Sequence, residues 1–174
     1  MELIRALYPL RTYLVVSGVE RPNVMTADWV VPLSFEPPLL GVSISKKRHT
    51  YSIIRQDKEF VISVPRVEML DDVWVAGTKS GREVDKFKIT SLRTKPSSRV
   101  SVPSLEGCIA NIECVLEREL ETGDHVLFIG KILHADVSPE AFSEGLPRED
   151  FPFLLHVGRD MFTTTSGKVL RAEK

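Results

Sequence analysis

The chain has 174 residues, 43% of them apolar and 27% charged, with a formal net charge of −1. That length and composition suit one globular domain over residues 1–174 that buries its own core without staples. The balanced charge excludes the basic excess of a nucleic-acid binder, and no apolar run is long enough to span a bilayer.

The first residues, MELIRALYPLRTYLVV, are interrupted by Arg5 and Arg11 and lack a small-residue cleavage site. No signal peptide and a cytoplasmic location are therefore expected. TYLVVSG (12–18) is the first β-branched stretch that reads as a strand. NVMTADWVVPLS (23–34) is also strand-like, yet it opens on Asn, Met, Thr and Asp. On residue types alone, Thr26 and Asp28 form a polar strand entrance. LLGVSIS (39–45) is the next strand, and SKKRHTYSII (45–54) follows it. There, Lys46, Lys47, Arg48 and His49 precede Thr50, the start of a helix over 50–56. Free N–H groups and a partial positive charge at a helix N-terminus suit a phosphate. The plainer alternative is a solvated basic turn with Thr50 as its cap.

EFVISVP (59–65) reads as a strand, and VEMLDDVWVAG (67–77) as a helix with apolar spacing near 3.6 that stops at Gly77. In GTKSGREVDKFK (77–88), Arg82 and Lys86 stand four apart. On a helix they share a face and would clamp an anion; an exposed loop in which Asp85 pairs locally is the alternative. CIANIECVL (108–116) and HVLFIGKILHADV (125–137) form a hairpin across Gly123-Asp124, with Asn111 and Glu113 making one face of the first strand polar. Cys108 and Cys114, read as strand residues, sit roughly 20 Å apart at about 3.3 Å per residue, beyond the roughly 7 Å that a disulfide allows. They read as buried structural thiols. His125 begins its strand just after a turn, as a surface residue or a ligand-facing one at a barrel rim. PEAFSEG (139–145) reads as a helix begun by Pro139 and capped by Ser138.

A further histidine, His156, lies in LLHVGRDMF (154–162). The histidines show neither an i, i+4 pair nor HExxH, so no catalytic zinc is expected. The chain has no GxSxG elbow, no GxGxxG and no P-loop, which disfavours serine hydrolysis, a dinucleotide fold and an NTPase. Many strands and few helices predict a mainly β (α+β) antiparallel barrel or sandwich with small helical covers.

Six segments appear in a family order: N-x-M-T-A-D-W (23–29), P-L-S-x-x-P-P-L-L (32–40), S-x-x-R-x-T-Y (45–51), S-G-R-x-x-D-K-F (80–87), G-D-H-x-L-F-I-G (123–130) and L-L-H-x-G (154–158). From Tyr13 to Phe162 the chain thereby resembles the flavin reductase-like family, FMN-binding split-barrel proteins that include archaeal ferric reductases and flavoredoxins. The resemblance implies an antiparallel Greek-key split barrel with a few short covering helices. It also implies an FMN cofactor whose ring lies along Asn23 to Trp29, its polar edge near the main chain of Met25, Thr26, Ala27 and Asp28, with Val30 and Val31 facing the core. Ser45, Arg48 and Thr50 would hold the phosphate, with Lys46 and His49 in the same basic loop. Ser80, Arg82 and Lys86 would close the phosphate or ribityl end, from this chain or from a dimer partner. His125 falls where nicotinamide would approach and is the candidate catalytic residue; His156 and Gly158 fall near the ring's outer edge. Where relatives often carry a second glycine and then an aromatic, this chain has Arg159, which would block the flavin face or attract an anionic substrate.

The activity implied is an NAD(P)H-dependent flavin or ferric reductase that passes hydride from NADH or NADPH to FMN N5. A flavoredoxin-like electron carrier without its own NAD(P)H site is the alternative, and a barrel module that has lost flavin is a third reading. The acceptor would be a small molecule or a protein. A homodimer is implied, with Trp29, Trp74 and Phe87 either at its interface or in the core.

Overall fold

The computed structural model describes residues 3–165. Its strands are β1 (Leu10–Arg11), β2 (Tyr13–Ser17), β3 (Asn23–Ala27), β4 (Val30–Ser34), β5 (Leu39–Ser45), β6 (Glu59–Val64), β7 (Thr94–Lys95), β8 (Ser104–Leu105), β9 (Ala110–Thr122), β10 (His125–Val137), β11 (Phe142–Ser143), β12 (Leu146–Pro147), β13 (Leu154–Gly158) and β14 (Met161–Thr164). Three short helices cover them: α1 (His49–Asp57), α2 (Leu70–Thr78) and α3 (Lys86–Ile89).

Seven strands pair in the order β3-β2-β6-β9-β10-β5-β4, all antiparallel. The two edge strands, β3 and β4, are consecutive in the chain and joined only by Asp28 and Trp29. The sheet must therefore curl until its ends meet, which makes it a split barrel. A smaller sheet, β1-β13-β14, packs beside that junction.

The pattern of burial follows from this curl. On β2, Val15 packs inside the barrel with Phe60, Ile62, Val42, Ile44 and Phe128. Its neighbours Leu14 and Val16 face outward, under α2 and the segment from Leu92 to Leu105. A strand buried on both faces needs a continuous apolar run, as Tyr13–Val16 and Phe60–Ile62 supply. Gly130 sits at a register shift on β10, and a Cβ there would lie 2.4 Å from Phe60 Cζ. Only glycine leaves room for that ring.

Four expectations need correction. Val31 is 44% exposed, because β4 is an edge strand and its alternate residues face outward. Residues 139–145 form no helix: Ala141 and Phe142 donate to Ser138 O in a single turn, and a β11–β12 hairpin follows. Glu144 and Gly145 take positive φ there (53° and 76°), a turn geometry that ends any helix. Arg82 and Lys86 do not share a helix, since α3 begins only at Lys86 behind its Asp85 cap. The helix expected over 67–77 is a 3-10 turn, Val67–Met69, continued by α2 through Thr78.

Candidate functional site

β3, the β5–α1 connection, the end of α2 and the start of β10 enclose a cleft of about 450 Å³. Antiparallel pairing sets His125 opposite Ser45 at its rim. Asn23 and Met25 come from β3, Ser45, Lys47 and Arg48 from the turn, and His49 and Thr50 from the first turn of α1; Ala76 to Gly81 and Lys86 form the opposite wall. The lining carries four Lys or Arg side chains, Lys47, Arg48, Lys79 and Lys86, and no Asp or Glu among the described residues. Helix α1 begins there with no side-chain cap; Tyr51 N–H donates to Arg48 O at 3.2 Å, and the N–H groups of His49 and Thr50 are left for a ligand. Four cations beside a helix N-terminus, with no carboxylate in the lining, form an anion-binding end.

Neighbouring contacts fix that end. Asn23 Nδ2 donates to the buried Thr50 hydroxyl at 2.9 Å, tying β3 to α1. A Cβ on Gly81 would lie 2.0 Å from Asn23 Oδ1, so this loop closes on the cleft only through a glycine. Lys86, 5% exposed, donates to Val24 O and Ala76 O at 2.7 Å each. Burial, then the Arg48 charge, pushes its ammonium down to about 8. His49 Nδ1 is buried without a hydrogen-bond partner, and burial followed by the charges of Arg82, Arg21 and Lys86 lowers the ring below its usual range.

At the rim, His125 Nδ1 faces the Asp124 carboxylate at 2.8 Å, and its ring lies 4.7 Å from that of Trp29. The hydrogen bond to His125 lowers the Asp124 carboxyl below its usual range. With Nδ1 donating to a carboxylate, Nε2 is the nitrogen left for a ligand.

Residues 5–165 match the family of the flavin reductase like domain. The chain belongs to this family. It is 52% identical to an uncharacterized protein of Archaeoglobus fulgidus over 170 residues, 97% of this chain and 95% of that one. It is 25% identical over 147 residues to the NADH-dependent FAD reductase of Streptomyces globisporus, 74% of this chain and 70% of that protein. The FMN-binding protein from Thermus thermophilus has the same fold with a TM-score of 0.91 and 31% identity, covering 99% of this chain and 95% of that one. Flavoredoxin from Methanosarcina acetivorans matches with a TM-score of 0.86 and 26% identity, covering 97% and 91%.

On this flavin reductase-like frame, the cleft gathers nine of the residues singled out in the sequence: Asn23, Met25, Ser45, Arg48, His49, Thr50, Ser80, Lys86 and His125. Eight others lie outside its lining. The Thr26 hydroxyl turns to Val73 O on α2, and Ala27 is in the barrel core. Lys46 pairs with Glu121 at 3.1 Å, while Arg82 donates to Lys47 O at 2.8 Å and braces the turn from behind. Asp28 accepts from His156 Nδ1 at 2.6 Å, and His156 Nε2 faces Arg159 O at 2.9 Å, so both nitrogens of that ring are engaged. Gly158 shapes the adjoining turn at φ 144°, and Trp29 packs on His125 without reaching the cleft lining. Lys47, read in the sequence only as part of the basic run, lines the cleft as well; Lys79 was missed as a ligand residue, and only its place between Gly77 and Gly81 signalled it. Thr50 is no cap, since Arg48 holds that position. Burial pushes both thiols up to about 12, away from the thiolate that reaction requires.

Proposed function

We propose that the cleft holds FMN and that the chain is an NAD(P)H-dependent flavin or ferric reductase. The observation that carries this reading is the anion end of the cleft: four cations, no carboxylate, and an uncapped helix terminus. These residues fit a phosphate monoester, with Ser45, Arg48 and the first turn of α1 as its donors and His49 Nδ1 as a buried group in want of a partner. The FMN-binding protein of Thermus thermophilus and the NADH-dependent FAD reductase of Streptomyces globisporus support it as relatives. Bound FMN supplies the chemistry, accepting hydride from NADH or NADPH at N5. The chain's part is to anchor the phosphate, present Met25 to the ring side of the cleft, and offer His125 Nε2 at the rim as an orienting partner for the nucleotide. His125→Ala should leave FMN affinity unchanged and slow flavin reduction about tenfold, the worth of one hydrogen bond. Unchanged reduction kinetics in stopped flow would remove His125 from this role.

The second reading is an FMN-holding electron carrier, supported by the flavoredoxin likeness and by Arg159, which occupies a left-handed turn (φ 56°) where the family resemblance implies a second glycine. Failure of both nucleotides to reduce the flavin would select it.

The active form we propose is a homodimer. Leu33 and Leu127 converge over Gly41, Leu120 pairs with Leu127, and Phe35 at the β4–β5 turn is 100% exposed. This apolar strip starts on the edge strand β4, and a second copy would cover it. Phe87 packs partly buried against the cluster of Leu14 and Val16, and Trp74, 40% exposed, packs edge-on against Phe162.

A further inference from the structure

Beside the cleft lies a polar cluster that the anion site does not use. The Asp28 carboxylate, at the β3–β4 junction, accepts from three donors on separate segments: His156 Nδ1 at 2.6 Å, the Tyr8 hydroxyl at 3.4 Å and the Thr12 hydroxyl at 3.5 Å. Tyr8 Oη in turn accepts the indole N–H of Trp29 at 3.2 Å. The Trp29 indole then lies on His125, centroids 4.7 Å apart and tilted by 37°. Tyr8 is thus the one described residue that bonds to both Asp28 and Trp29. Its own ring is held between the Arg5 guanidinium, 4.7 Å from the centroid, and the edge of His156 at 5.7 Å.

We propose that Tyr8 is a positioning residue that fixes Trp29 and, through it, the ring of His125 at the mouth of the cleft. Tyr8 lies outside the six segments that carry the family likeness, so the likeness gives no role to it. The physical case rests on geometry. An indole packed at a tilt on an imidazole at this distance is free to slide over the ring unless its N–H is bound in a defined direction. The Tyr8 oxygen supplies that direction, and it is itself aimed by donating to Asp28, whose place is held by His156 and Thr12. Burial, the largest cause, raises the Tyr8 phenol above its usual range, which keeps it an O–H donor to the carboxylate. His125 has only one other side-chain anchor among the described residues, Asp124, whose side chain is 89% exposed. The ring therefore depends on Trp29 for its angle.

The test is Tyr8→Phe, which keeps the ring and removes only the oxygen, studied first in the ¹⁵N-labelled protein without added cofactor or nucleotide. The chain has two tryptophans, and a Trp74→Phe background leaves Trp29 as the single indole signal. The expected result is a shifted Trp29 indole proton that exchanges with water about tenfold faster, the loss of one hydrogen bond. The His125 ring signals should move with it, although Tyr8 does not touch His125. Asp28→Asn should move both signals in the same direction by a smaller amount, and it stands in if the first variant proves unstable. In turnover, where the proposal rests on the reductase reading, KM for the nucleotide should rise by about three- to tenfold with FMN affinity unchanged. A role in stability alone would lower Tm and leave the indole and His125 signals of the folded protein where they were, and that result would overturn the proposal. So would shifted signals with an unchanged KM in an active enzyme. If the wild type oxidises neither NADH nor NADPH, the reductase reading falls, while the indole and His125 signals still decide whether Tyr8 positions the pair.

Discussion

Lys86 and Glu113 are the two charged side chains whose burial has the clearest consequences. Lys86 reaches two carbonyls, Val24 O and Ala76 O, and a neutral amine has two N–H groups to serve them. Its pKa lies near 8 in the folded chain against an ordinary 10.5, so between those values the unfolded chain holds more protons. Stability therefore carries a penalty at Lys86 below pH 8, and that penalty is relieved as pH rises towards 10.5. Relative to Lys86→Met, the wild type should gain stability across that window in urea melts; a difference independent of pH would contradict the assignment. Glu113, 2% exposed, accepts the backbone N–H groups of Ser98 at 2.8 Å and Arg99 at 2.6 Å. Glu113→Ala strands both donors and should cost about 3 kcal/mol. A loss below about 1 kcal/mol in chemical denaturation would mean that water replaces the carboxylate there.

Among the elements, the β5–α1 connection bears the functional burden. Arg48→Ala should weaken FMN binding about tenfold, as loss of a charge-assisted hydrogen bond does, and leave riboflavin binding as it was. Equal losses for both flavins, read by fluorescence quenching, would move the phosphate away from α1. That connection was readable in the sequence because its signals are local: a basic run, then Thr50 and an apolar-spaced helix. The barrel strands were readable for a similar reason, since β2, β5, β6, β9 and β10 all carry β-branched runs. The failures came where distant partners decide. Ser138-Pro139 looks like a helix start, yet Ala141 and Phe142 pack against Phe153, and the turn at Glu144-Gly145 sends the chain back as a hairpin. The sequence marks one face of β9 as polar but not that it is buried: Asn111 and Glu113 are satisfied by Ser63, Leu105 and the backbone at Ser98–Arg99. Asp28 and His156 are separated by 128 positions, and no spacing rule joins them.

For the whole molecule, the closing of the sheet explains both the site and the exposed apolar strip. Meeting of β3 and β4 turns Asp28 and Trp29 into a hinge-like junction next to the cleft, and it leaves β4 as an edge whose outer face carries Val31 and Leu33. Sedimentation should show a dimer, and Leu33→Glu combined with Phe35→Glu should yield monomers with the barrel intact; a wild-type monomer would discard the dimer. The family was legible from six ordered motifs, and the basic run at 45–50 already pointed to an anion, whereas the far wall of the anion end emerged only when Lys79 and Lys86 were brought against that run. The most direct test of the central claim is the visible spectrum of the FMN-supplemented, desalted protein under anaerobic conditions, before and after NADH or NADPH. A retained flavin band that one nucleotide bleaches at a catalytic rate is the predicted result. A retained band that yields only to dithionite would contradict the reductase, and a protein that retains no flavin and shows no turnover with free FMN would contradict the flavin site itself.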